Sequence, residues 1–242
     1  MKQSHLRALQ RVYLVLLFSF MYVPIAVMAV FSFNESKSRT IFTGFTFKWY
    51  KSLFHNEMIL SALGLSLVVA LIAAVVATVV GTAAAIGINA MGKRSQAVIN
   101  NISYMPVVNP EIITGVSLML LFVVVKDGIA WANQNLGWTL PENIFGLPTL
   151  LIAHISFCLP YVIFNVSPKL RQLDVRVYEA ALDLGCNPKQ AFFKVVLPEL
   201  APAILSAFLI CLTYSIDDFL ISYFTSGTTQ TLPIVIYSMT RK

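Results

Sequence analysis

Residues 168–202 read PKLRQLDVRVYEAALDLGCNPKQAFFKVVLPELAP, the one extended polar stretch of an otherwise apolar chain. The spacing predicts a helix over Val175–Leu184, with Val177, Ala181 and Leu184 on one face. Gly185 stands where such a helix would stop. Asn187-Pro188 then supplies the start signal for a second helix: a side chain that accepts free backbone N–H groups, followed by a proline at the first helical position. Pro198 and Pro202 are expected to bound that second helix and hand over to an apolar run. The stretch is therefore expected to be a helix–turn–helix lying at a membrane surface.

The rest of the chain supplies the membrane. Of 242 residues, 57% are hydrophobic and only 12% charged, with mean hydropathy +0.76. A water-facing surface needs about twice that charge, so this is an integral membrane protein. A spanning helix takes about 20 apolar residues. Five runs meet or approach that length: 12–33, 60–89, 102–125, 144–167 and 201–224. The first follows Lys2, Arg7 and Arg11, but is too long for a signal-peptide core and has no small-residue cleavage site behind it. Small residues from Ala70 to Gly87 suit the second run to close helix packing. Pro106, Pro110, Pro148 and Pro160 predict kinks or late helix starts in the third and fourth.

Basic residues set the orientation. With the N-terminus inside, the inner segments hold Lys2, Arg7, Arg11, Lys93, Arg94, Lys169, Arg171, Arg176, Lys189 and Lys194. The outer ones hold only Lys37, Arg39, Lys48, Lys51 and Lys126, and that asymmetry places the N-terminus in the cytoplasm. The net charge of +6 is thereby a loop property and implies no nucleic-acid partner. A DNA-reading role for residues 168–202 is excluded in the same way. The segment is tethered at both ends, and its second helix carries Phe192, Phe193, Val195 and Val196 rather than a polar reading face. Five spans leave Arg241 and Lys242 outside, after the short apolar piece Leu232–Met239. A sixth span beyond the residues given is expected.

Cys158, Cys186 and Cys211 are far apart and imply neither a disulfide framework nor a metal site. More informative is SIDDFLISYF at 215–224, which sets Asp217 and Asp218 inside an apolar run with no nearby lysine or arginine. Counting from Ala203 at about 1.5 Å per residue, Asp217 lies roughly 21 Å in, on the outer half of a core about 30 Å thick. Carboxylates at that depth face a cavity, a partner or a pathway. Neighbouring helical residues diverge by about 100°, so the two cannot both face one cavity squarely. One faces a pathway while the other pairs with a neighbouring subunit or caps backbone where the helix breaks. Tyr214, Phe219 and Tyr223 offer aromatic faces to a passing cation. Glu111, after Pro110, belongs either to that pathway or to a helix N-terminus where its charge meets the dipole. His154 is read as a satisfied core histidine in preference to a proton relay.

Within 168–202, Glu179-Ala180-Ala181, three residues, Gly185, nine residues, Val195, one residue and Leu197-Pro198 resemble the EAA loop of ABC importer permeases. The one departure from the pattern EAA-x3-G-x9-I-x-LP is Val195 for isoleucine. The likeness continues through FSFN at 31–34, FTFKWYKSLF at 45–54, MPVVNPEIITG at 105–115 and SIDDFLISYFTSG at 215–227, where it is greatest with the permeases of spermidine/putrescine importers.

That resemblance implies an all-α, MetI-like type I importer permease with a six-helix core. It implies a single permease domain over 1–242, containing the coupling loop 169–200. Glu179, Ala180, Ala181, Gly185, Leu197 and Pro198 would dock a cytoplasmic ATPase. Asp217, Asp218, Glu111, Tyr214, Phe219 and Tyr223 would line a polyamine pathway in the bacterial inner membrane. The implied partners are a homologous second permease, two ATPase subunits and an external polyamine-binding protein. ATP and Mg would be bound by the ATPase. No GxxxxGK[ST] phosphate loop occurs in this sequence, so no cofactor is expected on this chain, no catalytic residue and no metal. The competing readings are a permease for ferric iron, thiamine or a phosphonate, and a proton-coupled secondary transporter, which leaves the loop unexplained.

Overall fold

The structure is a computed structural model and describes residues 2–38 and 40–241. Arg39 and Lys242, both used above for orientation, lie outside the described residues. The described chain is helical, and its only extended pairing is an isolated antiparallel bridge between Asn34 and Phe45. The helices are α1 (Lys2–Phe31), α2 (Lys48–Phe54), α3 (Glu57–Ala90), α4 (Lys93–Val108), α5 (Glu111–Leu136) and α6 (Leu147–Gln172). After these come α7 (Val175–Asp183), α8 (Pro188–Ala191), α9 (Leu197–Asp217), α10 (Leu220–Thr225) and α11 (Leu232–Thr240). Among the described residues, five helices are long and apolar enough to cross a membrane: Leu9–Phe31, Glu57–Ala90, Glu111–Leu136, Leu147–Gln172 and Pro188–Asp217.

Two compact units are formed, Met1–Leu60 and Ser61–Lys242. In the first, the link between α1 and α2 is organised on one buried side chain. The Asn34 amide donates to the carbonyls of Ser38 (3.0 Å) and Ile41 (2.8 Å), and its oxygen accepts the Thr43 N–H (2.8 Å). Polar backbone groups of the loop are thus paired from its centre by this asparagine. The rings of Phe33, Phe45, Phe47 and Tyr50 pack together beside it, and the Trp49 indole N–H donates to the Asn34 carbonyl at 2.7 Å.

In the second unit, α6 is the central element. The buried small residues Ala74, Ala77 and Ala85 of α3 share one core with Val162 and Val166 of α6 and with Leu200, Ala207 and Cys211 of α9. Gly81 lets the α3 backbone come so close that a Cβ there would lie 2.7 Å from the Val162 Cβ. This is the small-residue packing expected of the second span. In the same core, Cys158 and Cys211 are free thiols, each pointing at the other's carbonyl at 3.6–3.8 Å. Helix α4 leans on α6 through Tyr104 and Phe164, whose rings meet edge to face at 5.3 Å.

Three sequence boundaries are corrected. The third run, 102–125, is divided. Proline disfavours helical geometry at the residue before it, and Asn109 is extended (φ −71, ψ 141), so α4 stops at Val108 and α5 starts afresh at Glu111. The second helix of the polar stretch is not bounded by Pro198 and Pro202. It continues through a π-helical turn, Phe192–Val196, into α9, so Pro188–Asp217 is one helical segment with both prolines inside it. In the π turn the Leu197 N–H reaches back to the Phe192 carbonyl. That wider turn accommodates the missing N–H and the ring of Pro198, which an α-turn would set against the carbonyl four residues back. Finally, the fifth span ends at Asp217 rather than at 224, because Asp218 is extended (φ −64, ψ 121) and the chain restarts as α10.

Candidate functional site

Asp217 and Asp218 are adjacent and carry the same group, yet the helix break gives them opposite surroundings. A helix end leaves backbone N–H groups without partners. The Asp218 carboxylate accepts two of them at the start of α10, from Ile221 (3.2 Å) and Ser222 (2.7 Å). Its side chain is 3% exposed, and its Oδ2 stands 3.6 Å from His154 Nε2. Asp217, the last residue of α9, is exposed.

Both carboxylates border a cavity of about 150 Å³ in the second unit, lined by Pro106, Glu111, Thr114, Phe157, Tyr161, Tyr214, Asp217, Asp218 and Ile221. Glu111 reaches it from the first turn of α5. The two readings of that residue thus meet in one place, since it sits at a helix N-terminus and faces the cavity. The Tyr161 and Tyr214 rings meet at 4.8 Å with 60° between their planes and form an aromatic wall. Three carboxylates, two phenols and no lysine or arginine make a lining suited to ammonium groups. A carboxylate and an ammonium at 4 Å attract by roughly 4 kcal/mol at an effective dielectric of about 20, before desolvation is subtracted, and the ring faces add cation–π attraction.

Phe219 and Tyr223 do not line the cavity. The break at Asp218 carries them to the side of Tyr237 in α11, with ring centroids at 4.7 Å and 6.3 Å. In their place the lining contains Phe157 and Tyr161, which the sequence reading passed over. The available signal was spacing: His154, Phe157 and Tyr161 stand at i, i+3 and i+7 on α6, one polar-aromatic stripe on a single helix face.

The polar loop is closed at both ends. Asp174 caps α7 by accepting the Arg176 N–H at 3.0 Å. At the other end the Gly185 N–H reaches Leu182 O (2.9 Å) and the Cys186 N–H reaches Ala181 O (3.0 Å), the paired bonds of a Schellman turn. Gly185 has φ +90. Asn187 and Gln190 then form a reciprocal capping box at 2.9 Å and 3.1 Å. Glu179, Ala180, Gly185 and Pro198 are exposed, Leu197 is half-buried and Ala181 is buried. Val177 and Leu184, expected on one face with Ala181, are exposed at 49% and 87%. The loop thus presents apolar side chains and a glutamate on a rigid turn. The Lys169–Glu199 pair at 3.8 Å is exposed and adds little. Among the described residues no cluster of three or more His, Cys, Asp or Glu is arranged to hold a metal.

Residues 77–240 match a family described as the binding-protein-dependent transport system inner membrane component. The chain is 38% identical to the putrescine transport system permease protein PotI of Escherichia coli (strain K12) over 234 residues, covering 95% of this chain and 79% of that protein. It is 32% identical to the spermidine/putrescine transport system permease protein PotC of Haemophilus influenzae, over 96% of this chain and 85% of the relative. It is 27% identical to a PotC homolog of Mycoplasma genitalium, over 98% and 83% of the respective lengths.

Proposed function

The chain belongs to the family of inner membrane components of binding-protein-dependent transport systems, and on that premise we propose that it is the polyamine-conducting permease subunit of an ATP-driven importer. The observation that carries the substrate class is the cavity in which Glu111, Asp217 and Asp218 converge beside Tyr161 and Tyr214 with no cationic side chain. Such a lining attracts oligoamines and repels an anion such as a phosphonate. The names of the relatives, putrescine and spermidine permeases, agree with that chemistry.

In this proposal the N-terminus is cytoplasmic and residues 169–200 face the ATPase subunits. Energy enters through the loop. Two of the helices that line the cavity, α6 and α9, start or end at that loop: α6 stops at Gln172 just before α7, and α9 continues from α8 through the π turn. Helices α6 and α9 pack along their length. A displacement of α7 by a closing ATPase dimer is therefore delivered to Phe157 and Tyr161 on one helix and to Tyr214 and Asp217 on the other. A second permease completes the passage, and an external binding protein delivers the polyamine. ATP and Mg belong to the ATPase.

The test is uptake of labelled putrescine and spermidine by proteoliposomes holding this chain with its partner permease, ATPase and binding protein. ATP-dependent uptake that falls on Asp217→Asn is the expected result. Uptake that survives ATP depletion and follows external pH would instead make the chain a proton-coupled carrier. Co-purification of an ATPase that is lost when residues 175–187 are replaced by a flexible linker tests the docking surface independently.

A further inference from the structure

A buried polar cluster centred on His154 joins the cavity lining at Asp218. His154 of α6 is 1% exposed. Its Nδ1 is 2.6 Å from Ser215 Oγ in the last turn of α9, and its Nε2 is 2.9 Å from Ser222 Oγ in the first turn of α10. The same Nε2 lies 3.6 Å from Asp218 Oδ2. One imidazole therefore grips the chain on both sides of the break and faces the carboxylate at its centre. The Asp218 carboxylate accepts only, so Nε2 carries a proton directed toward Asp218 and Ser222, while Nδ1 pairs with the Ser215 hydroxyl. Both serines and Asp218 are buried as well. Phe157, the cavity wall one turn along α6, packs edge-on against the ring at 5.4 Å.

The consequence falls on Asp217. It sits between Ser215 and Asp218, both anchored, and its own carboxylate is the one left exposed. A break with ψ near 121 at a single residue has no helical hydrogen bonds of its own to hold it, so its geometry is set by what grips the flanks. We propose that His154 is a positioning residue for the transport site: by holding Ser215, Asp218 and Ser222 it fixes the direction in which Asp217 meets the polyamine. The inference rests on the permease reading given above. It adds to that reading a residue that never contacts the substrate.

The experiment uses the assembled membrane complex in detergent without the binding protein. It measures the Kd of putrescine and spermidine by calorimetry, and complex yield by size exclusion. His154→Leu removes both arms and is expected to weaken polyamine binding about tenfold, equivalent to about 1.4 kcal/mol, with complex yield unchanged. His154→Gln, whose amide both donates and accepts, is expected to restore affinity to within about threefold. In an Asp217→Asn background, His154→Leu should produce no further loss, because the group it positions has lost its charge. An unchanged Kd for His154→Leu overturns the proposal. So does a full tenfold loss in the Asp217→Asn background, or a fall in yield shared by both His154 variants. Should His154→Leu not assemble, Ser222→Ala carries the test: a Kd raised about threefold supports the proposal, and an unchanged one overturns it. A wild-type complex that binds neither polyamine overturns the substrate reading, and with it this one. Wild-type binding with indifferent His154 variants overturns this inference alone.

Discussion

Gly185 offers a perturbation whose magnitude can be worked from backbone geometry alone. It occupies the closing position of the Schellman turn at φ +90, and a Cβ added there would meet nothing within 4 Å. Within this chain, any effect of substitution is then conformational strain and not collision. A side chain held in the left-handed region costs about 1–2 kcal/mol, and a β-branched one more. Gly185→Ala should lower the population of the closed turn by roughly 5–30-fold, and Gly185→Val by more still. Asparagine tolerates this region through its short polar side chain, so Gly185→Asn should stay near wild type. The assay is the affinity of the detergent-solubilised permease for its ATPase, measured by pull-down titration, with ATP-driven uptake as the functional readout. The expected order is glycine, asparagine, alanine, valine, with membrane insertion equal throughout. Gly92→Ala serves as control, since that glycine is also open to space and carries no positive φ. Wild-type docking and uptake by Gly185→Val would refute the reasoning, for it would mean that the turn can reopen without cost to its partner.

Three further outcomes follow from packing and polar contacts. Gly81→Val should destabilise the second unit by about 1–3 kcal/mol through overpacking against Val162, seen as a lowered Tm in detergent, and Val162→Ala should restore part of it. Asp217→Asn and Asp218→Ala should separate: the first reduces polyamine uptake at unchanged Tm, and the second lowers Tm by removing the acceptor of two backbone N–H groups, a change worth about 1 kcal/mol. Equal Tm for both would contradict the division of roles drawn from the break. Asn34→Ala should remove the hydrogen bonds to the Ser38 and Ile41 carbonyls and from the Thr43 N–H, at about 0.5–1.5 kcal/mol each. Faster hydrogen exchange confined to residues near 34–46 is the expected readout, and unchanged protection there would count against Asn34 as the organising residue.

Much of the fold is legible in order along the chain. The number and order of the apolar segments, the Gly185 turn and the Asn187-Pro188 start are local matters of hydropathy, backbone freedom and a missing N–H, and all of these are found in the structure. Boundaries fared worse where two local signals competed. Pro198 and Pro202 read as stops, but a proline near the start of a long helix can be absorbed by one wider turn, and packing of α9 on α6 outweighs the lost bonds. The apolar character of 102–125 hid a break that Asn109-Pro110 imposes on the backbone.

The cavity belongs to tertiary structure. Its aromatic wall joins Tyr161 to Tyr214, and its carboxylates come from α5 and from the end of α9, so no spacing within one segment brings them together. Asp217 and Asp218 show the limit most directly. The sequence determined that two carboxylates stand inside an apolar run, and on an unbroken helix the repeat would have turned them apart; the break at Asp218 instead lets both border one cavity. Which of them stays exposed there was decided elsewhere. Asp218 is taken up by the first N–H groups of α10 and by a histidine more than sixty residues away, and Asp217 is left exposed beside the cavity. The chemistry of a residue is written at its own position, whereas its role depends on groups that only folding brings within hydrogen-bonding reach.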